Sequence, residues 1–277
     1  MIEITTPTDL CSRCEWIVES NGDETPWTSF AIVDSDNNAY YGVKERMRVN
    51  ELTVEVVKDN VRPVPDEEIY PGFPVTGLTA AANDYSGRYV KRTAWVDYED
   101  VKGTTFLARL MLQEAHTMEL LAQRPHPSIV SYHGCQVKRG RITGLVLETF
   151  PLKYDLGFAA QRPELFKGLV DKNRIMSGLR AAVDQLHSIG LAHNDINPAN
   201  IMLCEEGEPK LIDFGSCQPI GHHLMSCGTP GWYKDIFHLS NTAHDDYSLE
   251  LLGPWLEKKC LLRRNKNGYV SGMLDEK

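Results

Sequence analysis

The fold of this chain is decided by residues 193–215, which read HNDINPANIMLCEEGEPKLIDFG. Two short apolar segments of this stretch lie on either side of a polar turn, which predicts a β-hairpin. The hairpin would place Asp195 and Asn200 before its first strand and Asp213 just after its second strand. Three oxygen-bearing side chains would then lie close together, and such ligands suit Mg²⁺, which is usually shared with phosphates of a substrate. A carboxylate beside that metal can accept a hydroxyl proton.

The same residues resemble the catalytic loop and the metal-binding loop of protein kinases, H-R-D-L-x-x-x-N followed by D-F-G. His193, Asp195 and Asn200 match the first motif, and residues 213–215 match the second completely. The alternative, an unrelated hairpin with buried aspartate caps, does not account for this order of fixed positions. The resemblance implies an α+β, two-lobed protein-kinase-like fold with a small β-rich N-lobe and a helical C-lobe.

The first 74 residues carry no motif of this family. We interpret residues 1–74 as an N-terminal extension whose strands cap the N-lobe. β-branched residues predict strands at 30–33 and 52–57, and the four prolines within 62–74 predict a linker or irregular connection.

The resemblance assigns residues 75–150 to the N-lobe and residues 151–277 to the C-lobe. The A-P-E motif of the family is absent, and the sequence leaves room for at most one further helix, at 249–260, and a short tail. We therefore expect a C-lobe that lacks the last helices of the family.

A strand is predicted within 85–96, and Lys91 is the candidate for the family lysine that binds the α- and β-phosphates of ATP. Its neighbour Arg92 should point to the opposite face, because side chains alternate along a strand.

The next helix, predicted at 105–123, carries an apolar stripe that includes Glu114. A buried, ionised carboxylate is costly unless it is paired, and Lys91 is its natural partner. The rival is Glu119, which turns away from the stripe.

The glycine-rich loop of the family, G-x-G-x-x-G, is missing. Gly77 and Gly87 instead flank a run of mostly small residues, which leaves a hairpin over a nucleotide possible. Its backbone would approach phosphates less closely than glycine allows, so this departure predicts weaker ATP binding and turnover.

Two further strands are predicted at 131–137 and 142–149, joined by a short basic turn. In the family the second strand leads into a hinge that binds adenine through backbone groups. The resemblance places Leu147 at the back of that pocket, and Glu148 and Phe150 in the hinge.

Two residues of the catalytic loop depart from the family. Asn194 replaces the arginine that meets a phosphate on the activation segment, so we expect no switching by phosphorylation of Ser216 or Ser226. Asn197 replaces the lysine that offsets charge on the transferred phosphoryl group. Loss of a charged stabiliser in a dry site can cost about 10²–10³ in rate, so slow catalysis is expected.

Downstream motifs favour a protein substrate. Residues 228–232, GTPGW, resemble the kinase segment that binds the substrate peptide, which small-molecule kinases lack. Asp245 matches the aspartate that anchors the catalytic loop, with Asp246 as the alternative register. An amphipathic helix predicted at 171–187 leads the chain to that loop.

Composition excludes several other classes of function. The formal net charge of −9 argues against nucleic acid or an anionic membrane as a partner. The absence of a long apolar run predicts no membrane span, and residues 1–10 do not resemble a secretory signal. Seven scattered cysteines, an odd number, favour reduced thiols in the cytoplasm or nucleus.

The sequence thus predicts slow, ATP- and Mg²⁺-dependent phosphoryl transfer to Ser or Thr of a protein substrate. The alternative is a pseudokinase that binds a partner, with or without a nucleotide, and does not catalyse transfer; a small-molecule kinase is a third interpretation. The candidate residues are Asp195, Lys91, Glu114 and Asn197 for catalysis, Lys91, Leu147, Glu148 and Phe150 for nucleotide binding, and Asn200 and Asp213 for Mg²⁺.

Overall fold

The computed structural model describes residues 6, 10–20, 23–74, 76–150, 154–162 and 170–261. Contacts divide the chain into two units. The first unit holds the described residues up to Gln123 together with Tyr132–Glu148, and the second holds Arg124–Ser131 and the described residues from Thr149 onward. The predicted region boundaries at residues 75 and 151, and the tail predicted after the last helix, lie outside the described residues.

The first unit begins with a four-stranded antiparallel sheet in the order β1-β2-β3-β4. Helix α1 packs on this sheet and buries Val57 against Phe30 and Ile32. The strand predicted at 30–33 is confirmed as the end of β2. The bounds are β1 (Ser12–Ser20), β2 (Asp23–Val33), β3 (Ala39–Glu45), α1 (Val54–Asn60) and β4 (Arg62–Val64).

Two predictions for this region were wrong. The valine-rich stretch 52–57 runs into helix α1 and forms no strand, because Thr53 caps the helix by accepting a hydrogen bond from Val56 N and the apolar side chains find burial against the sheet. Packing of this kind overrides the β-propensity of valine, because such propensities depend strongly on context. The predicted irregular connection at 62–74 contains β4 and a short helix, α2 (Asp66–Ile69).

The second sheet of this unit has three antiparallel strands in the order β5-β7-β6, which makes β5 an edge strand. The predicted strands and the long helix are confirmed, with β5 shorter than the predicted segment. The bounds are β5 (Arg88–Lys91), α3 (Tyr98–Val101), α4 (Phe106–Ala122), β6 (Tyr132–Lys138) and β7 (Arg141–Glu148).

The segment between Gly77 and Gly87 forms turns and no hairpin. It runs beside β6, where Cys135 N donates to Thr79 O at 2.7 Å and Ala81 N donates to Cys135 O at 2.8 Å. A side chain at Gly134, whose φ is +110°, would lie 2.7 Å from the backbone of Ala81. The close pairing with β6 therefore depends on glycine, and the hairpin considered possible from the sequence is not formed by these residues.

The second unit is mainly helical, with two short antiparallel strand pairs, β9 with β10 and β8 with β11. The hairpin predicted around the polar turn and the amphipathic helix that precedes it are both confirmed. Asp171 caps that helix by accepting from Arg174 N at 2.9 Å. The bounds are α5 (Leu156–Gln161), α6 (Lys172–Ser188), β8 (Leu191–Ala192), β9 (Ile201–Leu203), β10 (Pro209–Leu211), β11 (Gln218–Pro219) and α7 (Thr242–Leu261).

The predicted α+β class is confirmed: the first unit is rich in strands and the second in helices. None of the helices in the described part of the chain combines the length and apolar character needed to cross a membrane.

Candidate active site

In the first unit, Lys91 and Glu114 form the predicted ion pair. Lys91 Nζ lies 2.6 Å from Glu114 Oε1 and 2.7 Å from Oε2. Glu114 is 7% exposed and lies on the same face of α4 as buried Met111 and Met118, so its charge needs this partner.

The rival carboxylate, Glu119, is used elsewhere. It accepts hydrogen bonds from Thr79 N at 2.9 Å and from Thr79 Oγ1 at 2.6 Å. The last turns of α4 thus hold Thr79, in the segment that stands where the family has its glycine-rich loop.

In the second unit, Asp195 is surrounded by neutral donors. Its Oδ1 accepts from Thr229 N at 2.8 Å and from Asn197 Nδ2 at 3.0 Å, and its Oδ2 accepts from Asn200 Nδ2 at 3.0 Å. Asn200 Nδ2 also donates to the Asp195 backbone carbonyl at 2.9 Å. Because these bonds use the amide nitrogen of Asn200, its carbonyl oxygen is the atom left for a cation.

Asp213 follows β10, and the hairpin brings it to the same loop. Ile212 N donates to Asn200 O at 2.9 Å, which links the end of the hairpin to Asn200. Phe214 is fully buried with its ring 4.9 Å from that of His193, while Asp213 itself is exposed. Asp213 adopts a φ of +60°, and its Oδ1 accepts a hydrogen bond from Gly215 N at 3.2 Å.

The oxygen donors of this loop fit Mg²⁺. This ion prefers hard oxygen ligands, keeps several waters, and takes only one or two protein carboxylates beside the phosphates of a ligand. Asn200 and Asp213 supply such oxygens from adjoining backbone positions. Among the described residues no group of three or more His, Cys, Asp or Glu side chains is placed to hold a metal ion by itself. The donor set therefore suits an ion that is shared with a phosphorylated ligand.

Asp245 anchors the catalytic loop from below, in the predicted register. It is fully buried and accepts from His193 N at 2.8 Å and from Asn194 N at 2.7 Å. Its Oδ2 also lies 2.9 Å from His187 Nε2, and this hydrogen bond raises the pKa of His187. The alternative, Asp246, is exposed on α7.

Asn194 has a role that the sequence did not reveal. Its Nδ2 is within hydrogen-bond distance of Ala192 O at 2.8 Å, Ser216 O at 3.1 Å and Ser240 Oγ at 3.0 Å, and its Oδ1 accepts from Asn241 N at 3.2 Å. The residue is 3% exposed, with a φ of +64°. Its Oδ1 also lies 3.2 Å from His244 Nδ1, 50 positions along the chain, so no local pattern predicts this network.

The segment after Phe214 is paired with the chain before α7. Gly221 N donates to Ser240 O at 2.8 Å and Leu224 N donates to His238 O at 2.9 Å. A side chain at Gly228 would lie 2.8 Å from the Asn194 carbonyl, so this glycine permits the close approach that brings Thr229 to Asp195. The predicted substrate-binding motif is therefore in direct contact with the catalytic loop.

The predicted nucleotide-binding residues lie at and just after the end of β7. Leu147 is buried and pairs with Tyr89, and Glu148 pairs with Arg88. Phe150 follows the strand and belongs to the second unit. Their contacts with adenine remain a prediction.

Comparison with known proteins identifies the family. The protein kinase domain profile matches residues 90–235, which is more than half of the chain. The serine/threonine-protein kinase TAO3 of Homo sapiens is 35% identical over 118 residues, which cover 42% of this chain and 12% of TAO3. The MAP kinase kinase kinase SSK2 of Saccharomyces cerevisiae is 24% identical over 248 residues, which cover 82% of this chain and 14% of SSK2.

The chain therefore spans only a small part of the length of these curated relatives. The profile match nevertheless includes Lys91, the helix of Glu114 and the whole loop from His193 to Thr229. With this match added to the geometry of the loop, the chain belongs to the protein kinase family.

Proposed function

We propose that this chain transfers the γ-phosphoryl group of ATP, with Mg²⁺, to Ser or Thr side chains of protein substrates. The observation that carries the proposal is the orientation of Asn200: its amide nitrogen is bonded to Asp195, which leaves its carbonyl oxygen for a metal beside Asp213. The names of the related proteins, serine/threonine kinases among them, support the same class of substrate.

Each residue has a proposed role in this reaction. Asp195 accepts the proton of the substrate hydroxyl, and Asn200 and Asp213 hold Mg²⁺. Lys91, oriented by Glu114, binds the α- and β-phosphates. Catalysis of this kind rests on positioning and on electrostatic stabilisation of the transferred group. Leu147, Glu148 and Phe150 are proposed to bind adenine.

Asn197 is proposed to make the reaction slow. Its Nδ2 donates to Asp195 Oδ1 and, at 3.0 Å, to Thr229 Oγ1, so it joins the catalytic carboxylate to the substrate-binding motif. Asparagine does this without a positive charge for the transferred phosphoryl group. Contact between Thr229 and Asp195 also favours a protein substrate over a small molecule.

A second candidate function is a pseudokinase that binds a partner without catalysis. It is favoured by the segment 77–87, in which Thr79 and Ala81 pair with β6 and Glu119 binds Thr79, where the family has a hairpin that covers the phosphates. A scaffold, however, has no chemical need for Asp195, Asn200 and Asp213 together.

A two-stage experiment tests the proposal. Mg²⁺-ATP should raise the melting temperature of the protein, because a ligand at about 100 times its Kd adds about 2.7 kcal/mol of stability. Radiolabelled ATP should then label a general protein substrate, and Asp213→Asn should abolish the label. Asp184→Asn, which changes an exposed aspartate on α6, is the matched control.

The outcomes separate the two candidate functions. A melting shift without transfer by the unaltered protein would support the pseudokinase. Absence of any shift with Mg²⁺-ATP would remove the catalytic proposal altogether.

A further inference from the structure

The first unit contains a module that the chemistry proposed above does not use. We define the N-terminal module as residues 12–74, which comprise β1–β4, α1 and α2. We propose that this module is a built-in brace that positions α4 and β5, so that Glu114 meets Lys91 without an external partner. The inference goes beyond the proposed function and rests on it only where nucleotide binding serves as a readout.

The module shares an apolar core with the start of α4. Tyr41 of β3 packs with its ring 4.6 Å from that of Tyr98 and 6.2 Å from that of Trp95. Aromatic contacts of this geometry stabilise a fold beyond the area they bury. The same cluster contains Leu107, in the first turn of α4. Its buried members are Ala31, Ala39, Tyr41, Val64, Ile69, Tyr70, Trp95, Tyr98 and Leu107.

A carboxylate of the module fixes the chain that leads into α4. Glu68 of α2 accepts a hydrogen bond from Tyr98 Oη at 2.7 Å and another from Gly103 N at 2.9 Å. These donors lie in α3 and in the turn between α3 and α4. One carboxylate thus binds both α3 and the turn that leads into α4. The neighbouring Glu67 is exposed, whereas Glu68 is half-buried.

The module also holds the strand that carries Lys91. The guanidinium of Arg92 donates to Asn37 Oδ1 in the turn between β2 and β3, and Thr93 Oγ1 donates to Ile69 O at 3.2 Å. Arg92 therefore points away from the Lys91–Glu114 pair, as alternation along the strand predicted. The module is therefore bonded to the residue that follows Lys91 and to the segment that leads into α4, the helix that carries Glu114.

These contacts have a mechanical consequence for Glu114. It lies about two helical turns beyond the braced start of α4, and a helix transmits an end position along its length. If the start of α4 were free to shift, Glu114 would move away from Lys91, and the carboxylate and the ammonium group would no longer be paired. The brace prevents this by fixing the helix and the strand to one sheet.

Matched glutamate variants test the brace. Glu68→Ala should increase amide hydrogen exchange in the first half of α4 by about tenfold, since it removes charge-assisted hydrogen bonds. It should also weaken Mg²⁺-ATP binding. Glu67→Ala, one position away, should change neither. Equal exchange of α4 in both variants would overturn the proposal.

A second pair of variants distinguishes an effect on α4 from a general loss of stability. Arg92→Met removes the guanidinium bonded to Asn37, just after β5, while Arg88→Met removes an exposed guanidinium at the start of β5. Only Arg92→Met should loosen α4 and weaken nucleotide binding. Lower melting temperatures for Glu68→Ala and Arg92→Met, with unchanged α4 exchange and nucleotide affinity, would show a merely structural module.

A double-mutant cycle separates positioning from other effects. In a Glu114→Gln background, Glu68→Ala should have little further effect on Mg²⁺-ATP affinity, because the pair it positions is already broken. Full additivity would contradict the brace. If the unaltered protein binds no Mg²⁺-ATP, the proposed function fails, and the exchange comparison still decides the present proposal.

Discussion

Glu114 in the first unit and Asp245 in the second are both buried carboxylates, and they are satisfied in different ways. Glu114 faces the ammonium group of Lys91, which is a partner on a flexible side chain. Asp245 faces two backbone N–H groups of the catalytic loop and the imidazole of His187. A side-chain pair can separate and form again, whereas backbone donors leave only when the loop unfolds. The ion pair of Glu114 therefore suits a site that binds a ligand, and the hydrogen bonds of Asp245 suit a loop that must keep one conformation.

The strongest test of this difference between the two carboxylates is to remove Asp245. Asp245→Ala should lower the free energy of unfolding by about 3–5 kcal/mol, because it leaves the buried donors of the loop without an acceptor. Asp246→Ala, at the exposed neighbouring position, should change it by less than about 0.5 kcal/mol. Urea denaturation measures both. Similar losses in the two variants would mean that the buried carboxylate does not anchor the loop.

The corresponding change in the first unit should cost less stability. Glu114→Gln should lower the free energy of unfolding by about 1–2 kcal/mol, since Lys91 is partly exposed and can turn to water. Its effect on Mg²⁺-ATP affinity should exceed its effect on stability. Glu119→Gln, which changes an exposed contact with Thr79, should cost less than about 1 kcal/mol. Denaturation and nucleotide titration of both variants check the prediction: Glu114→Gln should lose more stability and more Mg²⁺-ATP affinity than Glu119→Gln.

A third variant would place an ammonium group beside a carboxylate in the second unit, as Lys91 lies beside Glu114 in the first. Asn197→Lys introduces an ammonium group beside Asp195, where the loop now has a neutral amide. We expect phosphoryl transfer to become about tenfold faster, because a positive charge stabilises the transferred group. Asn197→Met has a comparable length without the charge and should show no gain. Equal rates for the lysine and methionine variants in a radiolabel assay would refute the role given to charge.

The smallest expected effect is a pH dependence of stability, which arises chiefly from the hydrogen bond between Asp245 and His187. This hydrogen bond raises the pKa of His187, so protonated His187 is favoured in the folded protein. The stability contributed by this group is therefore fully present below its ordinary pKa of about 6.5 and is lost as pH rises through the raised value. His187→Gln should remove this part of the decline in melting temperature with pH. An identical pH profile for both proteins would contradict it.

The parts of the site that depend on local sequence were predictable. The spacing of Asp195, Asn200 and Asp213 and the helical position of Glu114 follow from short-range patterns, and the structure shows the hairpin and the ion pair that they implied. For Asn194, by contrast, the sequence indicated only that the arginine of the family is absent. Its network with Ser216 and Ser240 depends on long-range contacts, which a single sequence does not show.

The N-terminal module was the least predictable part of the fold. Residues 52–57 have the composition of a strand and nevertheless form part of a helix, because Thr53 offers a cap and the sheet below offers burial. The cluster of Tyr41, Trp95 and Tyr98 joins segments more than 50 residues apart, and nothing in either segment identifies the other. Tertiary packing decides such regions, and local propensity is a weak guide to it.

The position of β5 at the edge of its sheet has a kinetic consequence. Thr79 and Ala81 pair with β6, and among the described residues of the first unit no strand pairs with the edge of β5 opposite β7, so no strand there acts as a flap over phosphates near Lys91. Opening of such a flap to release product limits turnover in many enzymes. Release of ADP from this chain should therefore be fast, and its single-turnover and steady-state rates should coincide. A burst of product before the steady state would show that some other motion delays release.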